Sequence, residues 1–516
     1  MKRAARTGTL RDGMMGIAGA GGGRDSGRAS SGGPILAGEP VLAALRRHAA
    51  LPGEALLGDT GAIGRVELAE RVAAAAAALR AAGLGPGTAV GLTIVDPAEH
   101  LVACLALIAS GAAQICLPSF EPPGLRASLA ARVGVEAVLA DDGAEAPPGL
   151  RLLRWRDLRA AVTCLAGPPP PDPDAPAIFL SSSGISGRPK LVALSLRQVG
   201  LQAVRGFSRH EGARMACFAS PEHNIAKRLG LYTLLLGGTA LLSAARGEAL
   251  NAFLRAARAD WLYGSLQHAA DLVALGRRGH PLPPGVTLRM GGLRVPLALR
   301  HEVLAHVTPD FRVSYGATEI GSIASAGPGQ HDEEGSVGLV VPGVEVGILR
   351  ADGTEAAPGE PGAIRIRAPG MATAYHDDPE QTAERFRGGW FHPGDMVSRR
   401  ADGTLVVHGR ADDMMILNGI NIFPPEIEAM LESHPAVAHA AALPVPSAAH
   451  GEIPVAAVEL RPGARASAAE LLAFARARLG LRAPRRVLVL DALPRNPQGK
   501  VIRRELATRF APAGSA

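Results

Sequence analysis

The sequence predicts an α/β fold: a large N-terminal domain with mostly parallel sheets flanked by helices plus a β-rich subdomain, and a small α+β C-terminal domain. Three observations predict it. Up to about residue 335, short apolar runs alternate with helical stretches, as in a mostly parallel sheet. Beyond it, strand-like alternation appears between Gly/Pro turns. After residue 410 comes a compact tail of helix, two strands, helix and strand.

The elements follow in order. "VELAERVAAAAAALRAAG", residues 66–83, has the apolar spacing of a helix, with Gly83 as its C-cap. "TAVGLTIV" reads as a buried strand. "LVACLALIASGAAQICL", from Leu101 to Leu117, is the most membrane-like stretch, but it is short for a span and is interrupted by Ser110, Gly111 and Gln114. It reads as the end of a buried helix over 98–110, a glycine stop, and a strand over 114–117. "VEAVLADD" and "PAIFLSSSG" are further short strands, the second entered from the proline-rich connector 167–176. "GVEVGIL" and "GAIRIRAPG" carry the β-rich alternation. The tail holds a helix at 424–433, strands near 437–443 and 454–460, a helix at 467–479, and "RRVLVLDALP" before a loop that carries Lys500.

Composition narrows the function. Hydrophobic residues make up 47% of the chain and aromatics only 3%, so the core is mostly Ala, Leu and Val. A net charge of +6, with no basic block and no interleaved aromatics, argues against nucleic-acid binding. Cys104, Cys116, Cys164 and Cys217 form no C-x-x-C pair and have no histidine at ligand spacing. Free, mostly buried thiols in a cytoplasmic protein are expected. Residues 1–36 are Gly-, Arg- and Ser-rich and are expected to be disordered. A start codon assigned too far upstream of Met14 or Met15 and a functional tail are equal readings of them; a transit peptide is the weaker third.

Nearly every basic residue is arginine; the lysines are Lys2, Lys190, Lys227 and Lys500. Where lysine persists against that bias, a compact charge on a flexible stem is the better tool. Lys190 ends "SSSGISGRPK", residues 181–190. A Ser/Gly loop of this kind wraps phosphates with backbone N–H groups while the lysine adds a point charge.

Four further stretches follow in order: "YGATE" (315–319), "GWFHPGD" (389–395), "GRADDMMILNGINIFPPEIE" (409–428) and "LPRNPQGKVIRREL" (493–506). With the Ser/Gly loop they resemble the five motifs of the adenylate-forming superfamily, which includes acyl-CoA synthetases, adenylation domains and beetle luciferases. The resemblance runs from about Glu39 to Leu506. It implies that Ser182, Ser183, Gly184, Ser186, Gly187 and Lys190 hold the ATP phosphates. Tyr315 would pack on adenine beside Gly316, Thr318 would touch the α-phosphate, and Glu319 would hold Mg²⁺; Gly292 joins the nucleotide-binding set. Asp395 and Arg410 would bind the ribose. Lys500 would bridge the substrate carboxylate and the α-phosphate, acting with Thr318 and Glu319 as the catalytic set. Asp412 would be the hinge of a mobile C-terminal domain, dividing the chain into a tail (1–36), a large domain (37–411) and a small one (412–516). The sequence departs from the pattern at Ile185, Leu191 and Pro393, none of which removes a key charge.

The activity so implied is ATP-dependent activation of a carboxylic acid to an acyl-adenylate, then transfer to the thiol of coenzyme A, giving acyl-CoA, AMP and pyrophosphate. The alternatives are a stand-alone ligase that loads the phosphopantetheine of an acyl carrier protein, and a catalytically silent nucleotide-binding protein. "CFASPEHNIAKRLGLYTLLLGG" lacks the aspartate that would hold an α-amine, which disfavours amino acids. His223 falls where such ligases flank the carboxylate pocket, although a satisfied, half-buried histidine is an equal reading. Lys227 reads as a surface snorkel first and a substrate contact second.

Overall fold

The computed structural model describes residues 38–59, 61–160, 168–182, 189–207, 212–292, 294–417, 420–447, 451–496 and 499–510. The tail, Cys164 and most of the Ser/Gly loop lie outside them.

A six-stranded sheet runs in the order Arg151–Arg154, Val135–Ala140, Ala89–Thr93, Ala113–Cys116, Pro176–Ser182, Lys190–Ser195; only the last strand is antiparallel. A second sheet has a parallel half built from Glu54–Gly58, Thr239–Leu242, Arg214–Cys217, Trp261–Gly264, Thr287–Gly291 and Phe311–Ala317. From Gly321–Ala326 onward it continues antiparallel through Ser336–Val340, Leu405–Arg410, Asp395–Arg399 and Gly362–Arg367. The β-rich expectation is therefore met by an extension of the large sheet, already begun at Gly321.

Helices Arg65–Ala81, Pro97–Ser110, Leu196–Phe207 and Asn224–Leu235 fill the space between the two sheets, and Leu79, Leu105, Val199 and Leu231 share one core with Leu92, Leu180 and Ala240. The membrane-like stretch is a helix and a strand, as expected. Asp96 caps the helix by accepting from the Glu99 N–H, and Gly111 ends it at φ 84°, a left-handed turn that favours glycine. Helix Asn224–Leu235 packs on it so closely that a Cβ at Gly230 would stand 2.5 Å from the Leu101 side chain. This contact sets the depth of the helix whose N-cap is His223.

The small C-terminal sheet domain has strands Val437–Ser447, Gly451–Leu460 and Arg486–Leu490, with its own core of Ile427, Val437, Val458 and Leu471. The first two strands run closer to their connection than the alternation suggested. Helix Ala468–Leu479 is capped by Ser467.

Candidate active site

The parallel strands Trp261–Gly264, Thr287–Gly291 and Phe311–Ala317 end level with one another, so Gly264, Gly291 and Tyr315 lie along one edge. Ligands of α/β sheets bind at such carboxyl ends. Gly292 follows at φ 81° with open space where a side chain would be. At Gly316 a Cβ would meet the Gly321 carbonyl at 2.4 Å, so the turn back into strand Gly321–Ala326 requires glycine.

Tyr315 donates its hydroxyl to Asp395 Oδ2 across the antiparallel extension. Burial and the Asp395 carboxylate push the Tyr315 phenol well above its usual range, so it stays a donor. Asp395 faces Arg410 in register, and Arg410 Nη1 reaches Asp395 Oδ1 at 3.2 Å. Arg410 Nη2 holds Asp412 Oδ2 at 3.1 Å, and Arg385 reaches the same oxygen at 3.3 Å. Burial pulls the Arg410 pKa down, but Asp395 and Asp412 outweigh it and the net shift is upward.

Glu319 is 7% exposed and its Oε1 accepts from the Tyr375 hydroxyl at 2.7 Å. Lys190 Nζ sits 4.9 Å from the centre of the Tyr375 ring, because His376 N–H bonds the Leu191 carbonyl at 2.7 Å and draws the two segments together. Burial and then Arg385 lower the Lys190 pKa, with Glu319 and Glu384 opposing. The backbone of Ser182 pairs with Lys190 at the end of its strand, so the Ser/Gly loop leaves the sheet beside this lysine. Ser183, Gly184, Ser186 and Gly187 lie outside the described residues. Thr318 is half-buried, its carbonyl 3.4 Å from Arg228 Nη1.

His223 is half-buried and stacks on Phe120 at 4.8 Å, and its Nδ1 is buried without a hydrogen-bond partner among the described residues. The next residue, Asn224, donates to the Ser181 carbonyl at 2.6 Å, which ties this corner to the start of the phosphate-type loop. Lys227 is no surface snorkel. It is 1% exposed, between His223 and the Cys104 helix, and its Nζ has no hydrogen-bond partner among the described residues.

Lys500 is supplied by the C-terminal domain. Its backbone N–H is fixed by Asn496 Oδ1 at 2.8 Å. Surrounding protein and Arg503 lower its amine pKa, Asp413 raises it, and Arg410 and Asp395 also act on it. The amine therefore shares one electrostatic cluster with the Asp395–Arg410 pair. Arg503, three residues on, bonds the buried Glu428 at 2.5 Å.

Sequence reasoning missed Tyr375, Arg385 and Arg294, the last of which pairs with Glu334 and with Glu432 of the C-terminal domain. A signal for the first was present: the chain has only four tyrosines, at 232, 263, 315 and 375, a scarcity as telling as that of lysine. All four stand in or next to this site.

Comparison with known proteins identifies the family of the chain and agrees with its fold. A model of the AMP-binding enzyme family matches residues 47–376, and one of the AMP-binding enzyme C-terminal domain matches 426–500. The chain is 32% identical over 460 residues to a feruloyl-CoA synthase of Amycolatopsis sp., covering 86% of this chain and 93% of the relative. It is 32% identical over 361 residues, 66% of this chain and 68% of the relative, to a fatty acid–[acyl-carrier-protein] ligase, ScoC, of Streptomyces coeruleorubidus. Its fold superposes with a TM-score of 0.82 and 26% identity on the amide bond synthetase McbA of Marinactinospora thermotolerans, covering 92% of this chain and 100% of that one. The o-succinylbenzoate CoA synthetase of Bacillus subtilis, in complex with its acyl-adenylate, gives 0.82 and 25%, covering 90% and 98%.

Proposed function

The chain belongs to the AMP-binding enzyme family of adenylate-forming ligases, and we propose that it forms the coenzyme A thioester of a carboxylic acid. It is an AMP-forming acid–thiol ligase. A carboxylate oxygen attacks the α-phosphorus of ATP and pyrophosphate leaves. The thiol sulfur then attacks the acyl carbon and AMP leaves.

The observation that carries this reading is the position of Lys500. A lysine from the C-terminal domain comes near enough to feel the charges of Asp395 and Arg410 of the large sheet. A cation there neutralises charge as two anions approach, where preorganised electrostatics contribute most. Lys190, on its Tyr375 ring, serves the phosphate chain. Tyr315, Asp395 and Arg410 serve the nucleoside. His223, stacked on Phe120, flanks the acid.

Magnesium fits Glu319 as a single carboxylate ligand. Among the described residues no cluster of three metal-binding side chains exists, and Mg²⁺ characteristically takes one or two carboxylates plus substrate phosphates and water. When bound it supplies charge neutralisation on the phosphates. Asp412, pinned by Arg385 and Arg410 at the exit of strand Leu405–Arg410, is the hinge about which the C-terminal domain turns between the half-reactions. The cytoplasm is its compartment. Cys104, Cys116 and Cys217 are free, and no described helix is long and apolar enough to cross a membrane.

The test is a panel of carboxylic acids assayed for pyrophosphate release and for acyl-AMP by mass spectrometry, with and without coenzyme A. Acid-dependent pyrophosphate without coenzyme A, and thioester with it, are expected. Absence of acid-dependent pyrophosphate overturns the reading. The likeness to the acyl-carrier-protein ligase supports a second one. There the adenylate forms, coenzyme A fails to discharge it, and a phosphopantetheinyl carrier protein succeeds.

A further inference from the structure

Two buried guanidinium groups lie beneath this site, and among the described residues neither is in an ion pair. Arg228, on helix Asn224–Leu235, donates to Gln202 Oε1 at 2.6 Å, to the Tyr232 hydroxyl at 3.0 Å and to the Thr318 carbonyl at 3.4 Å. Arg289, on strand Thr287–Gly291, donates to Ser314 Oγ at 2.6 Å and to Ser322 Oγ at 3.0 Å, and stacks over Phe207 at 4.6 Å. Every one of these acceptors is neutral. Burial pulls the Arg289 pKa down to about 10, with Tyr263 opposing and Arg312 adding, so it is still a cation at neutral pH. Burying a charge without a counter-charge is costly, and neutral acceptors offset only part of that cost.

The position of these charges says what would offset the rest. Ser314, which holds Arg289, precedes Tyr315. The Tyr263 hydroxyl bonds the Gly291 carbonyl at 2.9 Å, next to Gly292. Arg228 touches Thr318 and lies on the helix that begins beside His223. On the acid-activating reading, the body of the acid lies between that helix and the strand ends. Phe207, Met215, Leu229 and Trp261 pack around Arg289 on its apolar side.

We propose that Arg289 and Arg228 are specificity-determining residues, and that the acid activated here carries a second anionic group away from the reacting carboxylate. The proposal rests on the acid-activating reading above. A monocarboxylic acid of equal length leaves the two cations unpaired in a water-poor floor; a diacid pairs them.

The test compares matched pairs as substrates for pyrophosphate release: butanoate with succinate, hexanoate with adipate, benzoate with its 2-, 3- and 4-carboxy derivatives. In at least one pair the diacid is expected to exceed its partner in kcat/KM by about tenfold or more. Arg289→Gln should reverse that preference, and Arg289→Lys should keep it. If wild type activates the monoacids and prefers none of the diacids, the proposal is overturned while acid activation stands. That comparison needs no variant to fold. Pyrophosphate with no acid at all overturns the ligase reading, and this inference with it. A diacid preference unchanged in folded Arg289→Gln and Arg228→Gln removes the two arginines from it.

Discussion

Arg294 and Glu432 form an ion pair of 2.8 Å between the large sheet's strand-end loop and the first helix of the C-terminal domain. Arg294 also holds Glu334 at 2.8 Å on its own side, and Glu428 lies 3.9 Å away. Because Glu428 bonds Arg503 just past Lys500, the charges run in sequence from the nucleotide edge to the lysine loop. Arg294→Met should therefore loosen the orientation that brings the Lys500 loop toward the large sheet. Adenylate formation should slow about tenfold, the effect of roughly 1.4 kcal/mol. Thioester formation from supplied acyl-AMP should be spared. Stopped-flow assays of the two half-reactions decide it; equal slowing of both would leave Arg294 a merely structural role.

Lys500→Ala should nearly abolish adenylation. A single preorganised contact made in the transition state is worth roughly 3 kcal/mol, about a hundredfold or more in rate. Because the contact strengthens as the transition state forms, the loss falls on kcat rather than on binding. Thioester formation from supplied acyl-AMP and coenzyme A should continue. A variant that adenylates normally would sink the role assigned to Lys500.

Lys190→Ala should raise the KM for ATP about tenfold or more while the circular dichroism spectrum stays that of wild type, since a lysine–phosphate pair at a partly buried site is worth about 1.4 kcal/mol or more. Wild-type ATP dependence in the variant would show that the loop does not hold phosphate.

Lys227→Met should leave thermal stability unchanged or raise it by a few degrees. The Lys227 amine is buried with no hydrogen-bond partner among the described residues, and an apolar chain of similar length removes that cost while filling the same space. A large fall in Tm on differential scanning would mean that Lys227 is paired in solution.

Acid should destabilise the protein through two histidines. Burial, then Arg47 and Arg65, lower the His48 pKa to about 4, and burial lowers that of His100 to about 3, against 6.5 for the ordinary group. The unfolded chain therefore takes up protons first as the pH falls. The stability these histidines contribute is complete above pH 6.5 and is lost progressively below it, down to about 4 and 3. From pH 6.5 to 5 each costs about 2 kcal/mol. His48→Gln should flatten the acid limb of a urea-midpoint profile; an unchanged slope would show that His48 is not buried neutral.

Much of this was legible locally. Helix Arg65–Ala81 and helix Pro97–Ser110 followed from apolar spacing and from glycines placed to end them, because those signals act within a few turns of chain. Lys190 and Lys500 stood out because arginine dominates the other basic positions. The strands Arg214–Cys217, Trp261–Gly264 and Thr287–Gly291 were not read. Each is four or five residues of mixed composition, too short for a period to show.

By itself the sequence determined the residue types of the site, their order along the chain and the reaction class they serve, since motif chemistry depends on side chains and short spacings. Only the tertiary structure decided which of those side chains meet. Tyr375 reaches Glu319 from 56 residues away, Tyr315 reaches Asp395 from 80, and Arg294 reaches Glu432 from 138. Such pairings depend on the order in which strands are laid side by side, and local periodicity does not carry that order. The positive floor under the site has the same origin. Arg228 and Arg289 read as two more arginines among many until helix and sheet close over them and take away the water that would have solvated their charge.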